Sequence, residues 1–195
     1  MLLKIVQAGE EVLRRQARAL TWEEILSEET QQLIEYMRET MHDAPGVGLA
    51  APQVGLPIQL AVIEDREEYH AQVDPARLAE RERRPVPFHV LINPKIVFTD
   101  STSVEFFEGC LSVNGFSAIV PRARAVKVEY LDEKAQAQII EASGWYARIL
   151  QHEIDHLKGT LYIDRMHART FMNVENLTRL WKDIPIGEVR TKLGV

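Results

Sequence analysis

The chain reads as an α+β protein, mainly antiparallel sheet around a central helix that carries the motif H-E-I-D-H at His152–His156. Three observations predict it. Several central stretches are rich in branched residues and bounded by Pro, Gly or charge, as strands are. A 3.6-residue apolar period marks two other stretches, one early and one late. The strand-like runs follow one another directly, as in an antiparallel sheet.

The elements can be taken in order. From Thr21 to Pro45 the sequence is helical, with Ser27 or Thr30 as N-cap, Leu33, Ile34, Met37 and Met41 at three-to-four spacing, and Pro45 as the stop. A small, apolar stretch follows, GVGLAAPQVG from Gly46 to Gly55, and then the strand PIQLAVIE. A dense charge run near residues 65–84 reads as a solvated excursion or short surface helix. Beyond it lie the strand FHVLINPKIVF and the run FSAIVPRARAVKVEYLDEKAQAQIIEA, with a turn near Asp132–Lys134. Ser143 and Gly144 then precede the helix WYARILQHEIDHLKG, with Gly159 as its C′ glycine. TLYID reads as a strand, and the tail as mixed with a short helix around NVENLTRLW.

Composition bounds the function. With 195 residues, 46% hydrophobic and 27% charged, the chain is long enough for one well-buried core, and a single domain over 1–195 is expected. The net charge of −6 argues against non-specific attraction to nucleic acid or anionic membranes. No apolar run approaches the roughly 20 residues of a membrane span. The N-terminus has Glu10 and Glu11 among its basic residues and lacks the apolar core of a secretion signal, so a cytoplasmic protein is expected. The single cysteine, Cys110, cannot form an internal disulfide.

The late helix carries the chemistry. His152 and His156 are four residues apart, so both imidazoles can reach one ion from one helix face. A third ligand is needed. His167 lies downstream, but Gly159 and the TLYID run intervene; Cys110, after a glycine that lets the chain turn sharply, is the better candidate. One thiolate and two imidazoles leave a position open, which is the pattern of a catalytic rather than a structural site. Glu153, beside His152, is then placed to act as general base and later as general acid.

The stretches GVGLAAPQVG, EGCLS and QHEIDHLKG, in this order, resemble the motifs of the peptide deformylases. The resemblance implies that Cys110, His152 and His156 bind the metal, with Fe(II) favoured and zinc, nickel or cobalt also suited to the donors. It implies that Glu153 is the catalytic acid/base and that Gln53 and the backbone amide of Leu111 donate hydrogen bonds to the formyl oxygen. It further implies hydrolysis of the formyl group from N-formyl-methionine on nascent polypeptides near the ribosome exit, releasing formate. Small residues such as Gly48 would let the loop lie against the substrate. Val47, Trp145, Ile149 and Phe106 are expected to form the pocket for the methionine side chain. Glu108 and Arg122 are expected to brace the cysteine loop, and Ser112 and Asp155 to orient ligands, unless Asp155 is simply an exposed helix residue.

Other readings compete. The His-Glu-x-x-His motif alone would suit a zinc endopeptidase, which has no use for Cys110 or Gln53. Gly46–Ala51 formally fits a dinucleotide fingerprint, but a helix precedes it and Pro52 follows, where a strand and then a helix are required. An inactive metal-binding relative would not need Glu153 and Gln53. Lys158 departs from the residues many relatives carry there. The charged insertion and the segments NGFSAIVPR and SGWYARILQHE look more like the organellar-type branch of the family than its shortest bacterial members.

Overall fold

The computed structural model describes residues 1–71 and 73–195; Gln72, inside the charged stretch, lies outside the described residues. The framework is an antiparallel sheet of β1 (Gly48–Ala50), β2 (Leu60–Asp65), β3 (Val86–Cys110), β4 (Val113–Leu131) and β5 (Ala137–Ser143), in that order. A short β6 (Met172–Asn173) adds to β4 through Phe116 and Ser117. The fold is therefore α+β and antiparallel, as the sequence implies.

The early helix is two helices. Thr21 caps α1 (Trp22–Leu26) in a capping box with Glu24, and Ser27, in extended conformation, ends α1 and caps α2 (Glu28–Asp43). Ser27 can serve as cap only by leaving the helical conformation, which splits the run. The packing explains the continuous apolar run LAVI of β2. Leu60 and Val62 pack with Ile34, Met37 and Met41 of α2, while Ala61 and Ile63 pack with Leu150, Ile154 and Leu157 of the central helix. A strand covered on both faces has no polar side to alternate.

That central helix is α4 (Gly144–Leu157), and ten of its residues from Ala147 to Leu157 are buried. Ser143 occupies its N-cap, yet its hydroxyl donates to Glu82 rather than to the helix, and the Trp145 N–H donates instead to the Arg81 carbonyl at 2.9 Å. Gly144 has φ +59°, and a Cβ there would fall 2.4 Å from the Cβ of Glu82. The charged stretch, which forms a short helix α3 (Pro75–Glu80), thus reaches the start of α4 and packs on it.

Three local expectations need correction. TLYID is not a strand but a 3₁₀ turn over Tyr162–Asp164, because the Asp164 carboxylate accepts from the Leu161 N–H at 2.8 Å and closes the turn. Gly109 does not turn the chain: it pairs with Ser117 inside the β3–β4 ladder, and the chain reverses after Cys110, at Leu111 and Ser112. β3 and β4 also run much further than the branched segments alone indicate, meeting at Cys110 and Val113. The tail forms α5 (Val174–Asn176), a π-helical turn over Leu177–Trp181 and α6 (Ile186–Leu193).

Candidate metal centre and active site

Two elements bring three donors to a common point. Cys110 ends β3, while His152 and His156 stand one turn apart on α4; their donor atoms all lie within 4.8 Å of one another. The Cys110 Sγ is 3.2 Å from His156 Nε2. His167 is elsewhere, 3.4 Å from Glu105, and takes no part.

Glu108, two residues before Cys110 on the same face of β3, accepts from His152 Nδ1 at 3.0 Å. This directs the other ring nitrogen, Nε2, toward the cluster, the arrangement by which a carboxylate fixes the tautomer of a ligating histidine. The donor set fits a borderline-soft divalent ion with an open coordination position. His156 is buried, and that burial holds its pKa well below the usual value, favouring the neutral imidazole that a metal requires.

Glu108 is itself clamped. Arg122 donates to both of its oxygens at 2.9 Å, and Arg148 donates to Oε1 at 2.6 Å. Arg122 also bridges to the buried Asp155, whose other partner is Arg165 at 2.6 and 2.8 Å. Asp155 is therefore part of this network and not an exposed helix residue. Burial alone pushes the Glu108 carboxyl up, but the Arg122 charge and the hydrogen bonds from His152 and Arg122 outweigh it and hold it below the usual carboxylate range.

Gln53 sits in the 3₁₀ turn Ala51–Val54 that follows β1, 2% exposed. Its Oε1 accepts from the Ala50 N–H at 2.9 Å. A backbone N–H can face only the carbonyl end of the carboxamide, so the amino end must point the other way, toward Ser112 Oγ at 3.3 Å and Cys110 Sγ at 3.5 Å. The lone amide of the small-residue stretch is thus aimed as a donor at the metal cluster.

Glu153 is buried, and its Oε2 has no hydrogen-bond partner among the described residues. Burial, with a smaller contribution from the Glu108 charge, raises its pKa to about 7 against the opposing charges of His152 and Arg122. Its chain lies directly on Gly48: a Cβ at that position would meet Glu153 Oε1 at 2.2 Å. Only glycine leaves room for the carboxylate there.

A cavity of about 520 Å³ opens over these groups. Val47, Gly48, Gln53, Cys110, Leu111, Trp145, Ile149, His152 and Glu153 all line it. Phe106 does not. It is buried against Trp145 (ring centroids 6.4 Å apart) and the Arg148 guanidinium, and its neighbour Phe107, directed to the opposite face of the strand, lines the cavity in its place. The register shift between Gly109 and Cys110 leaves extra residues on β4, so that Asn114, Gly115 and Phe116 splay outward and form part of the wall.

Sequence reasoning missed two supports. Arg148 carried a signal: a charged residue on the apolar face of α4, one turn before His152, needs a buried partner, and Glu108 is that partner. Gln7 carried none. Its side chain donates to the Leu111 carbonyl at 3.0 Å and accepts from the Asn114 N–H at 3.2 Å, while Val6 and Ala8 donate to the carbonyls of Gln53 and Ser112.

Comparison with known proteins agrees with this geometry. The family model described as Polypeptide deformylase matches residues 2–171. A relative from Solanum lycopersicum, "Peptide deformylase 1A, chloroplastic", is 48% identical over 191 residues, covering 98% of this chain and 67% of that protein. "Peptide deformylase 1" of Bifidobacterium longum is 45% identical over 195 residues, covering 99% and 86%. Among solved structures, the Met-Ala-Ser-bound class I type b peptide deformylase of Acinetobacter baumannii superposes with a TM-score of 0.76 at 32% identity, covering 85% of this chain and 99% of that one. A Cys-His-His cluster beneath an aimed amide, in a chain matched by that family along most of its length, places the protein in the peptide deformylase family.

Proposed function

We propose that the family reaction, hydrolytic removal of the formyl group from N-terminal formyl-methionine with release of formate, runs in this cavity with Cys110, His152 and His156 as the metal ligands. When bound, the ion would supply Lewis acidity and make a neighbouring water more acidic. Glu153 is placed to take a proton from the attacking water and to pass it to the leaving amide nitrogen; a carboxyl with a pKa of about 7 can do both near neutrality. Gln53 Nε2 and the Leu111 N–H donate to the formyl oxygen as it gains charge, so their contribution is largest in the transition state. Glu108 holds His152 in the ligating tautomer.

The observation that carries this reading is the opposed orientation of Gln53, carbonyl to Ala50 and amino group to the cluster, which an endopeptidase reading leaves without purpose. We take Fe(II) as the native ion, with zinc, nickel and cobalt accommodated by the same donors. The substrates are formyl-Met nascent polypeptides, met near the ribosome exit in the cytoplasm. The Acinetobacter baumannii structure, described as bound to Met-Ala-Ser, supports a peptide substrate.

The test is formate release from formyl-Met-Ala-Ser by protein prepared anaerobically with Fe(II), beside the N-acetyl peptide. Release confined to the formyl peptide is expected; none from protein shown to contain its ion would overturn the reading. Two substitutions probe the walls. Val47→Trp narrows the methionine pocket and is expected to raise KM for formyl-Met peptides; unchanged kinetics would remove Val47 from it. Gly48→Ala pushes a methyl into the Glu153 carboxylate, and kcat/KM is expected to fall about 100-fold, since ångström-scale misplacement of a catalytic group costs that much. A thermal melt close to wild type, with the ion retained, would assign that loss to the carboxylate rather than to unfolding.

A further inference from the structure

A second cavity, about 290 Å³, lies between the end of α4 and the middle of β3. It shares no lining residue with the catalytic cavity, and none of the steps above uses it. β3 is bulged where it forms the wall. Phe98, Asp100 and Ser103 stand opposite Val126, Ala125 and Ala123, five steps along β3 against three along β4, so two residues of β3 go unmatched. Bulges bend a strand and re-aim its side chains. Ile96 and Phe98 line the cavity in ordinary alternation, and the next to do so are Ser101 and Ser103, an odd step that a regular strand does not make.

The apolar part of the lining comes from Ile96, Phe98 and Ile154, with Phe98 57% exposed and so open to an incoming group. The polar part is cationic. Arg122, Lys158 and Arg165 line the cavity with a single carboxylate, Asp155, whose Oδ2 already accepts from Arg122 and Arg165 and whose Oδ1 accepts from Arg165. Glu108 meets the charge of Arg122 and Asp155 that of Arg165, whereas Lys158 has no carboxylate within ion-pair distance among the described residues. The Ser101 and Ser103 hydroxyls make no hydrogen bond to the protein among the described residues. One unpaired cation and two uncommitted hydroxyls beside an apolar wall suit a negative charge carried on an apolar body.

We propose that this cavity binds a small free carboxylic acid, its carboxylate on Lys158 and the Ser101 and Ser103 hydroxyls and its apolar body on Ile96, Phe98 and Ile154. The volume is at the small end for ligand cavities and suits a molecule of the size of phenylpropionate. Phe98 favours an aromatic body, which can stack on its ring.

The experiment titrates phenylpropionate into the zinc-loaded full chain, followed by the backbone amide NMR shifts, beside phenylpropanamide, which keeps the body and removes the charge. Saturable shifts at Ser101, Ser103 and Lys158 are expected, with a Kd of about 1 mM, in the range open to a ligand of so few atoms. The amide is expected to bind about 10-fold more weakly. Lys158→Ala removes the cation and Phe98→Ala the ring; both residues are exposed, and each change is expected to weaken binding about 10-fold while leaving formate release from formyl-Met-Ala-Ser unchanged. Equal binding of the amide, binding that survives both folded variants, or the absence of any saturable shift would overturn the proposal. So would shifts confined to Gly46–Gln53 and Leu111 together with competitive inhibition of formate release, which would put the acid in the catalytic cavity instead.

Discussion

Replacing Glu153 with Gln is expected to lower formate release by about 10²–10⁴-fold, the range contributed by a positioned general acid–base group, while the protein keeps its metal. The two side chains have the same shape, and the three donor atoms that lie together are those of Cys110, His152 and His156, not Glu153. What Gln lacks is a proton-accepting state. The buried carboxylate, pressed against Gly48 with an unpaired oxygen, has little freedom to be replaced by solvent. Single-turnover formate release together with metal content by mass spectrometry decides the matter. Loss of the ion along with activity would make Glu153 a ligand and end the proton-transfer assignment.

Glu108→Gln should produce the largest loss of stability. Removing one partner of a buried ion pair leaves uncompensated charge and costs about 3–5 kcal/mol. Here Arg148 loses the one carboxylate within ion-pair distance of it among the described residues, while Arg122 keeps Asp155, so the low end, about 3 kcal/mol, is expected. For a chain of this size that corresponds to a fall of about 6–12 °C in Tm. The pH dependence should change with it. Because the folded Glu108 carboxyl lies below its unfolded value, its contribution is present above roughly pH 4.5 and is lost as the pH falls through the folded value. Urea unfolding of the metal-depleted protein should therefore weaken on acidification less steeply in the variant than in the wild type. Parallel acid limbs would show that the network around Arg122, rather than Glu108, sets acid stability.

The legible parts of the protein were those written in local spacing. His152 and His156 announce themselves by helical period, β2 by its apolar run, and Ser143 by its place before a periodic segment. Cys110 and Gln53 were found through motif order, which carries information about distant pairing that periodicity does not. The parts that stayed hidden depend on contacts between residues far apart in sequence. Gln7 is an ordinary polar residue until the sheet brings Leu111 and Asn114 to it. The strand reading of TLYID failed because one side-chain cap, Asp164, outweighs the β propensity of its neighbours. Phe106 and Phe107 are equal candidates in the sequence, and only the phase of β3 separates them.

The reversal at Leu111 and Ser112 has a bearing on how the protein is made. The two strands it joins are adjacent in the chain, so their pairing closes a short loop at small entropic cost and can form early. α4 emerges from the ribosome later and must dock before either histidine faces Cys110. An ion held by all three donors would recognise only a chain in which α4 has docked on the strands, and by binding that state alone it would draw the folding equilibrium toward it. Loading with metal would then secure the docking of the helix on the hairpin.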